Sequence, residues 1–169
     1  ALFDPPGHGI RVRASSSLAS DPGVGAWAAS DGDPRSAWVS AAGDLSPWVS
    51  LSWDEQRELS RVVLGKGEWL PGRAPTVVAV SVDGTRVPFT DLGQVIELAA
   101  PVTGRELRLD FEPSSTSLVI GEVSVAGLED LVYHPVAGAQ TGAVCGLGPS
   151  VAIGGRLHAT KVVGTLDDV

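Results

Sequence analysis

The feature that most restricts the fold of this chain is the alternation of apolar and charged residues along 105–112. Leu107, Leu109 and Phe111 occupy every second position, and charged residues stand between them. Successive side chains of a β-strand point to opposite faces of the sheet, so this pattern predicts a strand with one buried face. Shorter runs of the same kind predict further strands at 10–14, 48–53, 59–64, 76–83, 86–89, 95–98 and 118–125.

About eight short strands, and no helical period beyond one possible turn at 54–59, predict an all-β fold. The 21 Gly and 12 Pro residues suit the turns between strands, and Asp83-Gly84 is a strong hairpin signal. We therefore expect an antiparallel β-sandwich of the jelly-roll type, with the in-phase apolar residues in its core. These residues are Val49, Leu51, Trp53, Val78, Val80, Val82, Leu107, Leu109 and Phe111.

The strand pattern is lost after residue 127, which suggests a division of the chain. We expect the sandwich to span residues 1–132 and a linker to span 133–144. Strand candidates at 151–153 and 157–163 predict that 145–169 begins a second β module or forms a docked hairpin. Cys145, the single cysteine, is either a buried thiol or half of a disulfide with a partner outside this segment. Because the chain has neither Met nor a leader, we expect it to be a piece of a longer protein.

Charge and residue spacing argue against several classes of function. The formal net charge is −8, and the 12 Lys and Arg residues are scattered along the sequence, which argues against binding to nucleic acid or to an anionic membrane. The sequence has no apolar run long enough to insert into a membrane. His8, His134 and His158 are too far apart in sequence for a zinc motif, and no serine has the surroundings of a nucleophile. We therefore do not expect an enzyme.

A short loop near the start of the chain combines ligand types that suit Ca²⁺. Asp31 precedes a Gly-Asp-Pro turn that contains Asp33, and Ser36 follows it. The loop ends at Trp38. Calcium takes six to eight oxygen ligands from carboxylates, hydroxyls and backbone carbonyls, and a tight turn exposes such carbonyls. The alternative is that these carboxylates only make hydrogen bonds within the turn.

Several motifs between residues 12 and 128 resemble the discoidin family, which comprises the type C domains of coagulation factors V and VIII and the related carbohydrate-binding modules of bacterial glycosidases. The most specific is Ala-Ser-Asp-Gly-Asp-Pro-Arg-Ser-Ala-Trp at 29–38. The others are Ala-Ser-Ser-Ser at 14–17, Pro-Trp-Val-Ser-Leu at 47–51, Ser-Arg-Val-Val-Leu at 60–64, Val-Ser-Val-Asp-Gly at 80–84, Leu-Arg-Leu at 107–109 and Ile-Gly-Glu-Val at 120–123. The resemblance implies a galactose-binding-domain-like sandwich.

The resemblance also implies a structural Ca²⁺ that ties the first long loop to the last strand. By position, its ligands would be the carbonyls of Ala28, Asp33, Ser36 and Gly121, the Ser36 hydroxyl and the carboxylates of Asp31 and Glu122. Such an ion would restrain a long loop in a fold without helices. The alternative for Glu122 is a solvated strand residue.

The tail has a looser resemblance to the large actinobacterial membrane arabinofuranosyltransferases, which build cell-wall arabinan. It is carried by Cys-Gly-Leu-Gly-Pro-Ser-Val at 145–151, Gly-Gly-Arg at 154–156 and Val-Val-Gly-Thr at 162–165. The resemblance implies an extracytoplasmic module of a membrane-anchored parent, and a pairing partner for Cys145 further along that parent.

The candidates for sugar contact come from the chain's five Trp residues and the charged residues beside them. Sugars stack on aromatic rings, while arginines and acids bind their hydroxyl groups. Trp38 and Trp53 are expected in the core, and Trp48 is expected to pack at a sheet edge. The predicted ligand-binding residues are Trp69, Arg73, Glu68 and Trp27. The alternative for both loop tryptophans is a ring that covers the sandwich end or a neighbouring domain.

Together these features predict a non-catalytic carbohydrate-binding module, stabilised by Ca²⁺, that binds a cell-wall polysaccharide of arabinan or galactan type weakly. Its expected partners are that polysaccharide and other domains of the parent chain, and the module is expected to be a monomer. A structural spacer without glycan binding is the alternative. A phospholipid-binding discoidin domain is disfavoured by the net charge of −8.

Overall fold

The computed structural model describes residues 9–18, 24–33, 36–67 and 72–132, together with the backbone of 150–153 and 156–159. The described residues of the larger unit form nine strands, all paired antiparallel, and two short 3-10 turns. The strands are β1 (Arg11–Ala14), β2 (Trp38–Val39), β3 (Trp48–Gly65), β4 (Val77–Val82), β5 (Thr85–Val87), β6 (Phe89–Asp91), β7 (Val95–Phe111), β8 (Val119–Ile120) and β9 (Glu122–Val125). The all-β antiparallel fold predicted from the sequence is confirmed.

Two long strands, β3 and β7, organise the structure. The main sheet has the order β1-β3-β7-β4-β5, with β6 added to β7 and β9 added to β3, while β2 and β8 pair separately. The β3–β7 register shifts between Ser52 and Arg57, and again between Leu59 and Arg61. Apolar residues from both halves of these strands lie in a single buried cluster, so each strand must bend around the core.

The core contains almost all of the predicted in-phase residues. Leu51, Leu107 and Leu109 are fully buried, and Trp53 donates a hydrogen bond from Nε1 to the Gly104 carbonyl at 3.0 Å. Trp38 is also fully buried, as expected. Its ring centroid lies 6.1 Å from that of Phe111, and its Nε1 donates to the Ser16 carbonyl at 2.8 Å. These indole hydrogen bonds satisfy the polar groups that the two rings bring into the core.

The prediction for Val78 is wrong, because its side chain is 48% exposed. The β4–β7 register shifts between Val77 and Ala79, so Val78 lies at an irregularity of the strand. Both Val77 and Ala79 are buried, and regular alternation resumes at Val80. A bulge changes the face of a single residue, and the apolar pattern alone does not reveal it.

Three predicted boundaries also differ from the structure. The possible helical turn at 54–59 is wrong, since β3 continues through it and joins the predicted strands 48–53 and 59–64. Likewise, β7 joins the predicted strands 95–98 and 105–112. The predicted strand 118–125 is divided at Gly121, where a Cβ atom would lie 2.5 Å from the Lys66 carbonyl oxygen. This close approach explains why glycine stands between β8, which pairs with β2, and β9, which pairs with β3.

The predicted hairpin at Asp83-Gly84 is confirmed. Val82 pairs with Thr85, and both turn residues have positive φ angles of 47° and 77°, as the tightest hairpin turns require. The Asp83 carboxylate accepts hydrogen bonds from the backbone N–H groups of Arg105 and Glu106 at 2.8 and 2.9 Å. The Asp83 side chain therefore links the turn to β7.

Contacts divide the chain into a large unit, Gly7–Tyr133, and a second unit containing His134–Val169. In the second unit the described backbone forms β10 (Ser150–Ile153) and β11 (Arg156–Ala159), which pair antiparallel as a hairpin. The strand expected at 157–163 thus corresponds to β11, which begins one residue earlier and ends sooner. The linker boundaries and Cys145 lie outside the described residues. Within the described ranges no helix is long and apolar enough to cross a membrane.

Candidate cation-binding and ligand-binding sites

The predicted calcium loop is organised around the carboxylate of Asp31. Its Oδ1 accepts a hydrogen bond from the Asp33 N–H at 3.0 Å, and the Ser36 hydroxyl lies 2.8 Å from both carboxylate oxygens. The same hydroxyl lies 2.9 Å from the Asp33 carbonyl oxygen. A hydroxyl has one proton, so it cannot satisfy three surrounding acceptors at once. The loop therefore gathers more oxygen acceptors than donors.

Glu122, 90 residues further along, joins this cluster from strand β9. Its Oε2 accepts a hydrogen bond from the Gly32 N–H at 3.1 Å, where the chain turns with a φ of 73°. The other oxygen, Oε1, is buried and has no hydrogen-bond partner among the described residues. The structure thus brings together the two carboxylates that were predicted to bind one ion.

Both carboxyl groups are held in an environment that disfavours their charge. Burial raises the pKa of Asp31 above its usual value, with a further contribution from the negative charge of Asp33, and hydrogen bonds from Asp33 and Ser36 oppose the rise. Burial raises the pKa of Glu122 to about 8, the Gly32 hydrogen bond lowers it, and the charge of Asp31 raises it further. Two partly buried acids that repel each other are an arrangement that a cation would relieve.

The remaining predicted ligands lie next to the acids along the chain. Ala28 is fully buried in the first 3-10 turn, Ala26–Ala29, and Gly121 directly precedes Glu122. Sequence reasoning missed Ser30, whose hydroxyl is buried and has no partner among the described residues. The position of Ser30 between Ala29 and Asp31 in the motif was the signal in the sequence that could have identified it as a further oxygen of the site. The described residues hold no group of three or more acidic, His or Cys side chains, so further ligands would have to be carbonyls and hydroxyls.

The two described members of the predicted sugar-binding set, Trp27 and Arg73, lie in separate parts of the chain's structure. Trp27 is partly buried in the first 3-10 turn. Arg73 forms an isolated parallel bridge with Leu118, and its exposed guanidinium lies 3.9 Å from the Glu112 carboxylate. Glu68 and Trp69 lie outside the described residues.

A surface hollow of about 480 Å³ lies at the sandwich end near Arg73. Its polar lining includes Lys66, Thr76, Asp91 and Gln94, with apolar surface from residues such as Val119. A smaller hollow beside it is lined by Lys66, Gly67, Gly72, Ala74 and Val119. Gly67 and Gly72 are the described residues on either side of the 68–71 segment in sequence. The hollows supply hydrogen-bonding groups of the kind that orient sugar hydroxyls.

Comparison with known proteins identifies one curated relative. The chain is 29% identical over 171 residues to an alpha-(1->3)-arabinofuranosyltransferase of Mycolicibacterium smegmatis. The match covers 85% of this chain but only 12% of that protein, so the chain spans a small part of its relative. No family model matches the chain.

Solved structures with the same fold include several sugar-binding modules. The family 32 carbohydrate-binding module of Clostridium perfringens NanJ, in complex with galactose, has a TM-score of 0.57 at 16% identity, covering 69% of this chain and 92% of that one. Chitosan-binding module 1 of a Paenibacillus sp. IK-5 chitosanase/glucanase has a TM-score of 0.56 at 22% identity, covering 72% and 97%. The predicted discoidin-like β-sandwich and the resemblance to an arabinofuranosyltransferase are both confirmed.

Proposed function

We propose that this sandwich is a non-catalytic carbohydrate-binding module, stabilised by Ca²⁺, that holds a cell-wall polysaccharide near an active site elsewhere in a longer parent enzyme. The observation that carries the proposal is the shared fold with galactose- and chitosan-binding modules in a chain similar to part of an arabinofuranosyltransferase. A tethered module of this kind acts by raising the local concentration of its ligand, so weak monovalent affinity is sufficient.

The proposed polysaccharide site lies at the sandwich end around the two hollows. Arg73 and Lys66 would donate to sugar hydroxyls, Asp91 would accept from them, and Trp69 would supply the stacking ring. Glu68 and Trp27 are the other two residues that the sequence predicts to contact the sugar. Arabinan and galactan are the proposed ligands because the curated relative is an arabinofuranosyltransferase and one structural neighbour binds galactose.

The proposed calcium site joins the first loop to β9. Asp31 and Glu122 would hold the ion with their carboxylates, the Ser36 hydroxyl would contribute an oxygen, and the carbonyls of Ala28, Asp33, Ser36 and Gly121 remain the proposed further ligands. The unpartnered Glu122 Oε1 and the excess of acceptors around Ser36 support this assignment. The ion would neutralise the two acids and tie together segments about 90 residues apart.

The proposed setting is the extracytoplasmic side of a membrane-anchored parent, and this module would bind neither nucleic acid nor the membrane itself. The alternative proposal is a structural spacer whose loops pack on other domains of the parent. The exposed apolar side chains of Leu45 and Leu92 favour it, because they are 81% and 65% exposed in this unit.

Amide NMR spectra of the isotope-labelled 169-residue chain, titrated with arabinan and galactan oligosaccharides, test the proposal. We expect signals of residues around Lys66 and Arg73 to shift, saturating at roughly high micromolar to millimolar ligand. Trp69→Ala should weaken binding about tenfold, as the loss of one stacked ring implies. Glu55→Ala, at an exposed position in the middle of β3, serves as the off-site control. Unchanged spectra with every glycan tested would favour the spacer.

A further inference from the structure

One row of residues crosses the outward face of the main sheet and carries three arginines. Arg13 on β1 pairs with Ser50 on β3, Ser50 with Arg108 on β7, Arg108 with Ser81 on β4, and Ser81 with Arg86 on β5. Neighbouring strands lie about 4.8 Å apart, so successive arginines are about 10 Å apart and the row spans about 19 Å. We call these five residues the arginine row.

The row faces away from the core because its sequence neighbours point into the core. Leu51, Leu107 and Val80 are buried, and each is adjacent in sequence to a member of the row. Arg13 and Arg86 are exposed, and the Arg108 side chain is 41% exposed. The arginines are therefore presented to solvent from rigid positions of a sheet rather than from loops.

The central arginine is fixed in place. The Arg108 guanidinium lies 4.4 Å from the centroid of the Trp48 ring, which is a cation–π contact. Its Nε and Nη2 donate to Asp110 Oδ1 at 2.9 and 2.8 Å. Trp48 begins β3, which lies between β1 and β7, so it does not occupy the sheet edge predicted for it, and its side chain is partly buried. The ring and the guanidinium together form an ordered, partly exposed platform beside the row.

The two outer arginines have no paired acid among the described residues. Arg13 and Arg86 form no ion pair there, whereas Arg108 is paired with Asp110. The adjacent row on the same face carries Glu106 and Arg11, and Arg11 is paired with Asp54 at 2.9 Å. Two free cations thus flank a fixed third one in a chain whose formal net charge is −8.

We infer that the arginine row binds an acidic polysaccharide that lies extended across the sheet with carboxylates at a regular interval. Three arginines at equal backbone spacing can reach a repeating anionic chain, and a guanidinium pairs with a carboxylate through two parallel hydrogen bonds. Ser81 offers a hydroxyl between two of them, and the Trp48 edge offers a surface for a sugar ring. The net charge of −8 opposes any polyanion, and it opposes nucleic acid more strongly than a polyuronate because nucleic acid carries a higher charge density. This surface is separate from the proposed loop site and does not depend on it.

The test titrates the 169-residue chain with oligogalacturonate and, as the matched neutral ligand, with galactan oligosaccharides of equal length. We expect oligogalacturonate to shift the amide signals of Ser50 and Ser81 and the indole signal of Trp48, with an affinity that falls as salt is added. The double variant Arg13→Ser/Arg86→Ser should bind about tenfold more weakly, because two exposed charged contacts are removed.

Two controls separate local recognition from net charge. Arg57→Ser/Arg61→Ser, in the second half of β3, makes the same change in net charge, from −8 to −10, and should alter the affinity by less than about twofold. Arg13→Lys/Arg86→Lys keeps the charge but loses the paired hydrogen bonds, and should give an intermediate affinity. Amide spectra of the free variants verify that each one is folded.

Absence of any shift at the row with oligogalacturonate would overturn the inference. Equal binding of the neutral galactan at the row, or equal losses in the two serine double variants, would also overturn it. Single-stranded DNA is the last competitor, and binding at the row as tight as that of oligogalacturonate would show a general polyanion surface instead. None of these results bears on the loop site, which the neutral arabinan titration reports.

Discussion

Two loops of this sandwich are each held by a partly exposed carboxylate, and the two carboxylates differ in what surrounds them. Asp44 accepts hydrogen bonds from the hydroxyls of Ser15 and Ser16 at 2.7 and 2.6 Å, and from the Ser46 N–H at 3.0 Å. Burial acts to raise the pKa of Asp44, but these donors outweigh it and the pKa is lowered. We call Asp44 and its three serines the donor-rich corner.

The acidic cluster of Asp31 and Glu122 has the opposite character. Its carboxylates have few donors, one oxygen of Glu122 has no partner among the described residues, and the pKa of each acid is raised. Asp44 is also less buried than Asp31 and Glu122, so burial and the number of donors together set the opposite pKa shifts. Where protein donors are too few, a cation would have to take their place.

The largest effect expected from this difference follows withdrawal of calcium. If the ion binds only the folded chain, saturation at about a hundredfold excess over its dissociation constant stabilises the fold by about 2.7 kcal/mol. EDTA should then lower the melting temperature by about 5–10 °C for a domain of this size. Differential scanning calorimetry in EDTA and in excess CaCl₂ measures the difference.

Matched variants locate that effect at the acidic cluster. Asp31→Asn should abolish the response to EDTA, since its carboxylate is a proposed ligand. Asp33→Asn should retain most of the response, because Asp33 is proposed to contribute its carbonyl and not its side chain. The reverse outcome for these two variants would show that the ligand positions implied by the family resemblance do not apply to this chain.

A smaller loss is expected from Asp44→Ala in the donor-rich corner. Removal of the acceptor leaves the partly buried hydroxyls of Ser15 and Ser16 with unmade hydrogen bonds, at a cost of about 1–2 kcal/mol. The response to EDTA should be unchanged, since Asp44 belongs to a different hydrogen-bonded group. Asp54→Ala is the control, because its side chain is 82% exposed and should leave the melting temperature nearly unaltered.

The most diagnostic effect is the opposite pH dependence of the two regions. In EDTA, the raised pKa of Glu122 means that the folded chain retains a proton that the unfolded chain releases. The stabilisation linked to this proton is complete below pH 4.5, the ordinary pKa of a glutamate, and it is lost as the pH rises to about 8. The lowered pKa of Asp44 gives stability above its ordinary value of 3.8, which is lost as the pH falls through its lowered folded pKa.

Melting curves from pH 2 to 9 distinguish these contributions, because they cover the titration ranges of both Asp44 and Glu122. In EDTA, we expect the melting temperature of Glu122→Gln to fall less with rising pH near neutrality than that of the unaltered chain. Saturating calcium should reduce the fall in the unaltered chain in the same way. A decline that persists in Glu122→Gln would assign it to another titrating group and would contradict the burial of the Glu122 carboxyl as its cause.

Much of the fold was predictable from local patterns. The alternation at 105–112 indicated the inward face of β7, and Asp83-Gly84 indicated the β4–β5 turn, because both depend on short-range geometry. The continuation of β3 through Asp54 was not predictable, since Asp54 lies at a register shift between two segments that each pair with β7. The division of the last strand at Gly121 follows from contact with Lys66, which is remote in sequence.

The site was predictable to a similar degree. Family resemblance identified Asp31 and Glu122, which hydrogen bonds through Gly32 and its neighbours bring together. The buried Ser30 hydroxyl emerged only from the packed structure. The arginine row could not have been found from the sequence, because its arginines lie on different strands and become neighbours only through the register of the whole sheet.

The proposed calcium bridge between the first loop and β9 is tested most directly by a crystal structure of the chain grown with CaCl₂, with anomalous diffraction data collected to locate calcium. We predict an anomalous peak between the carboxylates of Asp31 and Glu122, with oxygen ligands from the first loop around it. A map without such a peak at full calcium saturation, with the Gly32–Glu122 hydrogen bond intact, would contradict the bridge.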